Sequence, residues 1–324
     1  MRRIACNTTL GACLFSMVGL AGAANLSADL HRAWSVPRAA EFADASAHLT
    51  PAIAALCAAS EEAESAMRIA RRQWLDVLTP WERLSAVAIG PVLERRAQRQ
   101  IDFMPTRPRL IEKAIQDEPT DAAAMELVGT PAKGLPALEW LLWVKPIQPD
   151  SKACRYALQV ADEIAREAKA LAAAPVVASD DATLIGELVN QWVGGLERLR
   201  WANMEMPARI ALTNARPAEF PRAASGAAAA GWVAQWRSLR ELATDTSIPV
   251  SLDALLRQRG ADSTAEALAQ AVRRADAAMH DLDTVDLPRL LEAAQLLAAL
   301  KRLVEEQVAP ALGVNIGFSD ADGD

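Results

Sequence analysis

Leu290, Leu297 and Val304 recur every seven residues with Ala293 and Leu300 between them, so one face of residues 287–308 is a continuous apolar seam. A seam of that period must be covered by another helix, which commits this part of the chain to a bundle. The same arithmetic holds in 151–174, where Ala157, Val160, Ile164, Ala168 and Leu171 form a stripe at spacings of three and four. No run of β-branched residues alternates in the manner of a half-buried strand. Abundant Ala and Leu, with only 15 Gly among 324 residues, favour helices throughout.

The pattern predicts helices over 39–59, with Pro51 near the middle, and over 61–78. Shorter helical pieces follow over 79–133, broken by Pro80, Pro91, Pro105, Pro108, Pro119 and Pro131, because proline lacks the donor a helix interior requires. A short apolar helix over 134–144 carries Pro136 in its first turn, where the missing N–H costs little. Further helices are expected over 151–174, 181–215, 227–244, 264–282 and 287–308. The expected fold is all-α, two stacked four-helix bundles. The N-terminal bundle would occupy 25–175, with 79–133 as a long insertion, and the C-terminal bundle 176–324. A duplication would account for four plus four, although no internal repeat proves it.

The first residues carry Arg2 and Arg3, an apolar run around Leu14 to Leu20, and small residues from Ala21 to Ala24. That order reads as a secretory signal over 1–24 and places the chain in the bacterial periplasm or cell envelope. Cys13 in LGAC offers a lipoprotein alternative, but Asn7, Thr8 and Thr9 interrupt the approach to it, so cleavage near Ala23 or Ala24 is preferred. No other stretch approaches the ~20 uninterrupted apolar residues of a membrane span. The chain carries a net charge of −7, and removing 1–24 takes away two arginines and no acid. A mildly acidic chain of this kind is a poor candidate for nucleic acid, whose phosphates demand a basic face.

Of four cysteines, Cys6 and Cys13 fall in the signal, leaving Cys57 and Cys154. In an up-down-up-down bundle the end of the first helix and the start of the fourth meet at one end, so a disulfide is sterically reasonable there. Two buried free thiols are the alternative.

Between Lys133 and Lys145 every residue is apolar, Gly or Pro except Glu139. A carboxylate buried alone suffers a large desolvation penalty, so Glu139 should be protonated, paired with an arginine or bound to a cation. Alternatively it points out of the bundle between Trp140 and Trp143. Arg107 is the first choice of partner, with Arg109 beside it. Arg209 would reach the site from the C-terminal bundle if the pocket lies between the two. Asn203, Met206 and Arg209 stand three apart on one helical side, where Pro207 should kink the helix.

A zinc peptidase needs about three protein ligands and an open position. The chain has 3 His (His31, His48 and His280) and no H-E-x-x-H, and neither a G-x-S-x-G elbow nor a Cys paired to His is visible. A hard cation such as iron or calcium would have to be held by carboxylates. Glu139, Asp102 and the tail acids Asp320, Asp322 and Asp324 are the candidates. DADGD imitates the opening of a calcium loop but ends before the bidentate Glu such a loop requires.

Gly134, Pro136 and Glu139 in GLPALEW resemble the G-x-H-x-x-E signature of the imelysin-like family of bacterial envelope proteins, with Pro in place of His. Three further stretches are similar to the same family, in order: IDFMP at 101–105 followed by Arg107 and Pro108, RWANMEMPARI at 200–210, and LGVNIGFSDADGD at 312–324. The resemblance implies paired helical bundles with a pocket between them, in a family tied to iron-regulated uptake. It nominates Asp102, Arg107, Gly134, Pro136, Glu139, Asn203, Arg209 and Asp322 as pocket residues. The family's founding name came from a proposed metallopeptidase activity, and Pro136 removes the imidazole on which such a metal site would rest. The expected function is that of a non-enzymatic envelope protein binding a ligand or partner in iron acquisition, as a component of an uptake system or a partner of an outer-membrane complex. A carboxylate-based, metal-dependent hydrolase is the alternative.

Overall fold

The computed structural model describes residues 26–175 and 179–317, and every regular element among them is helical. Residues 1–24, expected to be a signal segment, and the acidic tail with Asp322 lie outside the described residues.

Four stretches surround the first apolar core: Val36–Ala47 with Leu49–Ala58, Ala63–Ser85, Gly134–Val144, and Lys152–Ala172. The predicted helix 39–59 is thus split at His48, three residues before Pro51. Ser151 caps the Lys152–Ala172 helix by accepting from the Cys154 N–H at 3.1 Å, and the predicted stripe from Ala157 to Leu171 is buried. The 79–133 region is mostly short helices, as its prolines foretell, with one exception: Ala63–Ser85 runs through Pro80 instead of ending near Leu78. Leu78, Trp81, Glu82 and Leu84 are all buried around that proline. Packing on both sides outweighs the one backbone hydrogen bond Pro80 removes, and carries Glu82 onto the helix.

The second core lies among Asp181–Asn214, Ala228–Thr244, Asp262–Met279 and Leu287–Val308, with an unanticipated helix Leu252–Gln258 beside them. The heptad seam Leu290, Leu297 and Val304 is fully covered. Leu30 and Trp34, early in the chain, belong to this second core, as do Ala86, Val87 and Ile89. The two cores meet where Ala63–Ser85 packs along Ala228–Thr244. Gly195 makes a second close approach, since a Cβ there would stand 1.8 Å from the Ala86 carbonyl oxygen.

Cys57 and Cys154 form a disulfide with a Cα–Cα distance of 5.5 Å, and the Asp150 N–H donates to the Cys57 carbonyl at 3.1 Å. The bond ties residues 97 apart in sequence. Intact protein should therefore resist alkylation without reductant, and Cys57→Ser with Cys154→Ser should lose about 2 to 5 kcal/mol of stability in urea titrations. Two alkylatable thiols in oxidised protein would refute the bridge.

Candidate functional site

Along the seam between the two cores lies a chain of buried polar side chains. Its centre is Arg222, only 4% exposed, on a segment preceding the Ala228–Thr244 helix. The Arg222 backbone has φ of 66°, a left-handed conformation uncommon for a side chain of this size. Its Nη2 donates to Asp102 Oδ1 at 2.5 Å, and Nε and Nη2 each lie 3.4 Å from Glu82 Oε1. Asp102 Oδ2 accepts from the Trp81 indole at 3.0 Å, and Glu82 Oε2 from Gln235 Nε2 at 2.7 Å. Asn203 extends the chain by donating to Gln235 Oε1 at 3.0 Å. The guanidinium lies 5.8 Å over the Trp74 ring, within cation–π reach. Arg222 Nη1 is buried without a hydrogen-bond partner among the described residues.

Glu139 is 5% exposed and faces this centre, so the outward alternative does not hold. Its Oε1 accepts from the Ser225 N–H at 2.9 Å and from the Ser225 hydroxyl at 2.7 Å. Arg107 is not its partner. It is exposed, at the N-terminal boundary of the Pro108–Asp117 helix, because Pro108 starts that helix and turns the preceding side chain outward. Arg209 is exposed as well and donates through Nε to Glu205 Oε1 at 2.7 Å.

The separation of Asn203 from Arg209 has a geometric cause. Residues 198–205 are wound as a π-helix rather than an α-helix. An α-helix leaves residues five apart about 140° from each other, whereas an i→i+5 turn brings them to one side. Arg198 and Asn203 thereby both face the seam: Arg198 donates to the Ser85 carbonyl at 2.6 Å, and Asn203 reaches Gln235. Met206 and Arg209, expected on the same side as Asn203, are left on the surface.

Gly134 acts through the backbone. It has φ of +73°, and a Cβ there would stand 2.2 Å from the Ile101 carbonyl oxygen. The first turn of the Glu139 helix is thus pressed against the residue that precedes Asp102, which fixes two of the three carboxylates relative to each other. Pro136 is buried in that same turn.

Three carboxylates (Glu82, Asp102 and Glu139) face Arg222, with Arg198 nearby, so full ionisation would leave excess negative charge in the interior. Burial pushes the Glu82 carboxyl up to about 7 against the pull of Arg222, and neighbouring Asp102 adds to the rise. Burial opposes the charge on Arg222 too, but Asp102, Glu82 and Glu139 outweigh it and its pKa is raised. Among the described residues no three His, Cys, Asp or Glu side chains group as a cation site. The guanidinium already stands where a cation would, so these carboxylates do not fit a bare metal ion.

Of the residues nominated from sequence, Asp102, Glu139 and Asn203 are joined here, with Gly134 and Pro136 in the supporting turn. Glu82, Arg222, Ser225, Gln235 and Arg198 escaped sequence reading. Glu82 sits two residues beyond Pro80, where the sequence predicts that the helix has ended, and Arg222 and Ser225 belong to a segment without periodicity. The Gly194–Gly195 pair before Arg198 was the one available signal of a close approach.

An all-helical, two-core protein with a buried ionic seam is the class these features define. The imelysin family model matches residues 35–311, and the chain belongs to that family. Two crystal structures share the fold. One is an imelysin-like protein from Psychrobacter arcticum 273-4, 19% identical, with a TM-score of 0.70 over 90% of this chain and 96% of that one. The other is a putative iron-regulated protein A precursor from Parabacteroides distasonis ATCC 8503, 12% identical, with a TM-score of 0.69 over 89% and 94% of the two chains. No curated protein matches.

Two sets of measurements follow. Glu139→Ala leaves the Ser225 donors without their acceptor and should cost about 1 to 3 kcal/mol in chemical denaturation. Arg107→Ala should change stability by less than about 0.5 kcal/mol. A strong, non-additive effect of Arg107→Ala with Glu139→Ala would overturn the assignment of Ser225 as partner.

The second concerns pH. Because the folded pKa of Glu82 stands above its ordinary 4.5, the native state keeps a proton that the unfolded chain releases. This group's contribution should therefore fall as pH rises from about 4.5 to about 7 and level off above. Glu82→Gln, which mimics the protonated acid, should remove that fall. Identical pH profiles for the two proteins would show that Glu82 is ionised throughout.

Proposed function

We propose that this protein is a non-enzymatic, cell-envelope member of the imelysin family that binds a polar ligand or partner in iron acquisition at the ionic seam. The observation that carries this reading is the incomplete pairing of a costly buried network. A group that is buried and charged usually finds partners for all its donors, yet Arg222 Nη1 has none among the described residues. The half-buried edges at Asp102, Asn203 and Ser225 offer the approach from solvent. Such an arrangement suits a ligand bearing carboxylates or other hydrogen-bonding oxygens better than a naked cation, so iron would arrive chelated. The iron-regulated name of the Parabacteroides distasonis protein supports the link to iron.

Export is supported by the order of charged, apolar and small residues in 1–24 and by the Cys57–Cys154 disulfide, which suits an oxidising compartment. Among the described residues no helix is long and apolar enough to cross a membrane. A component of an uptake system or an outer-membrane complex is the partner this setting favours. The hydrolase alternative requires a metal-bound or base-activated water beside Glu139, whose Oε1 is already occupied by two Ser225 donors.

The test is to offer purified protein iron, zinc and calcium competitively, and separately ferric citrate, while following bound metal, thermal stability and cleavage of a peptide library. Ferric citrate should raise the melting temperature of the wild type but not of Arg222→Met, with bare metal well below stoichiometric and no peptide cleaved. Stoichiometric bare metal, together with cleavage abolished by Glu139→Gln, would overturn the proposal in favour of the hydrolase.

A further inference from the structure

Outside the seam, the surface between residues 96 and 110 has a charge pattern unlike that of the whole chain. Arg96, Arg99, Arg107 and Arg109 are exposed, and none of their guanidinium groups has a hydrogen-bond or ion-pair partner among the described residues. From Phe103 to Ile111 there is no acid, although the chain as a whole carries −7. The acids that border the patch are mostly engaged elsewhere. Asp102 is held by Arg222 and Trp81, Glu112 by Lys145, Asp117 by Lys113, and Glu167 by Arg95, which leaves Glu94 as the unpaired acid at its edge. The short helices Ala97–Ile101 and Pro108–Asp117, which carry or adjoin the four arginines, both pack against the Thr130–Ala132 turn. The same stretch exposes two large apolar side chains, Met104 at 37% and Leu110 at 45%, with Pro105 and Pro108 also exposed.

We propose that this patch is a membrane-docking surface that seats the protein on the phosphate-bearing face of an anionic lipid bilayer. Arginine is the side chain whose fork matches a phosphate bidentately, and unpaired guanidinium groups can engage headgroups without first breaking an ion pair. Met104 and Leu110 stand where they enter the boundary between headgroup and acyl chain, as the apolar residues of peripheral membrane proteins do. Each cation close to an anionic lipid surface contributes on the order of fivefold in affinity. The overall negative charge is not an obstacle, because charges farther than about 8 Å from the contact are screened at physiological ionic strength. Docking here is separate from ligand binding at the seam and stands whether or not that reading does.

Flotation of the full, disulfide-bonded protein with vesicles decides the question. Vesicles with roughly a third phosphatidylglycerol should carry the protein, pure phosphatidylcholine should not, and binding should fall at least tenfold between low and high salt. Arg99→Glu, Arg107→Glu and Arg109→Glu together should abolish binding, and Leu110→Ser should weaken it severalfold while keeping the salt dependence. A circular dichroism melt like that of the wild type would show that these exposed substitutions leave the fold intact. Wild-type protein that ignores anionic vesicles, or a triple variant that still floats, overturns the proposal. So would vesicle indifference combined with arginine-dependent capture of an acidic protein, which would make the patch a protein interface.

Discussion

Arg222 is the constraint on which the seam depends. A guanidinium removed from water is tolerable only where carboxylates surround it, and the three that do so come from separated parts of the chain: the Ala63–Ser85 helix, the residue after Ile101, and the Gly134–Glu139 helix. Satisfying this one charge therefore draws the first core against the segment that leads into the second. Apolar packing alone would let the Ala63–Ser85 and Ala228–Thr244 helices slide past each other at small cost. The contacts of Glu82 with Arg222 and Gln235 set their register, because a shift of one turn would leave buried charge unpaired.

The backbone irregularities share that purpose. The π-helical turn at 198–205 rotates Arg198 and Asn203 towards the seam and Arg209 away from it. Gly134 lets the Glu139 helix approach the chain beside Asp102, and the left-handed conformation at Arg222 aims its side chain inward. Local irregularity of this kind persists only where surrounding contacts over-determine it, and here those contacts are the hydrogen bonds of Arg198 and Asn203, the close approach at Gly134 and the ion pairs of Arg222. Another ionic cluster, in which Arg200 bridges Glu197 and Glu205 while Arg209 pairs with Glu205, lies along one helical stretch and reaches the Leu287–Leu303 helix through the Glu197–Lys301 pair.

Much of this architecture was legible beforehand because its causes are periodic. Spacings of three, four and seven place most of the long helices, although Ala63–Ser85 runs seven residues past the expected end at 78 and Leu252–Gln258 is missed, and two cysteines at matching helix ends point to the disulfide. A lone acid in an apolar stretch pointed to a buried carboxylate. Identifying its partner was beyond such reasoning, since Ser225 lies 86 residues away and no spacing relates the two. Arg107 was the wrong choice for a local reason: Pro108 begins a helix and leaves the preceding side chain in solvent.

By itself, then, the sequence determined the helical class, the apolar faces, the disulfide and the fact that Glu139 required a partner. These follow from properties of one segment at a time, where periodicity and desolvation act locally. Tertiary structure decided which charges meet. Arg222, Glu82 and Gln235 acquire their roles only when two helices more than 140 residues apart lie side by side, and Pro80 is passed over only because packing on both flanks outweighs its missing donor. The energy of a buried ion depends on every charge around it, and that sum exists only once the chain has folded.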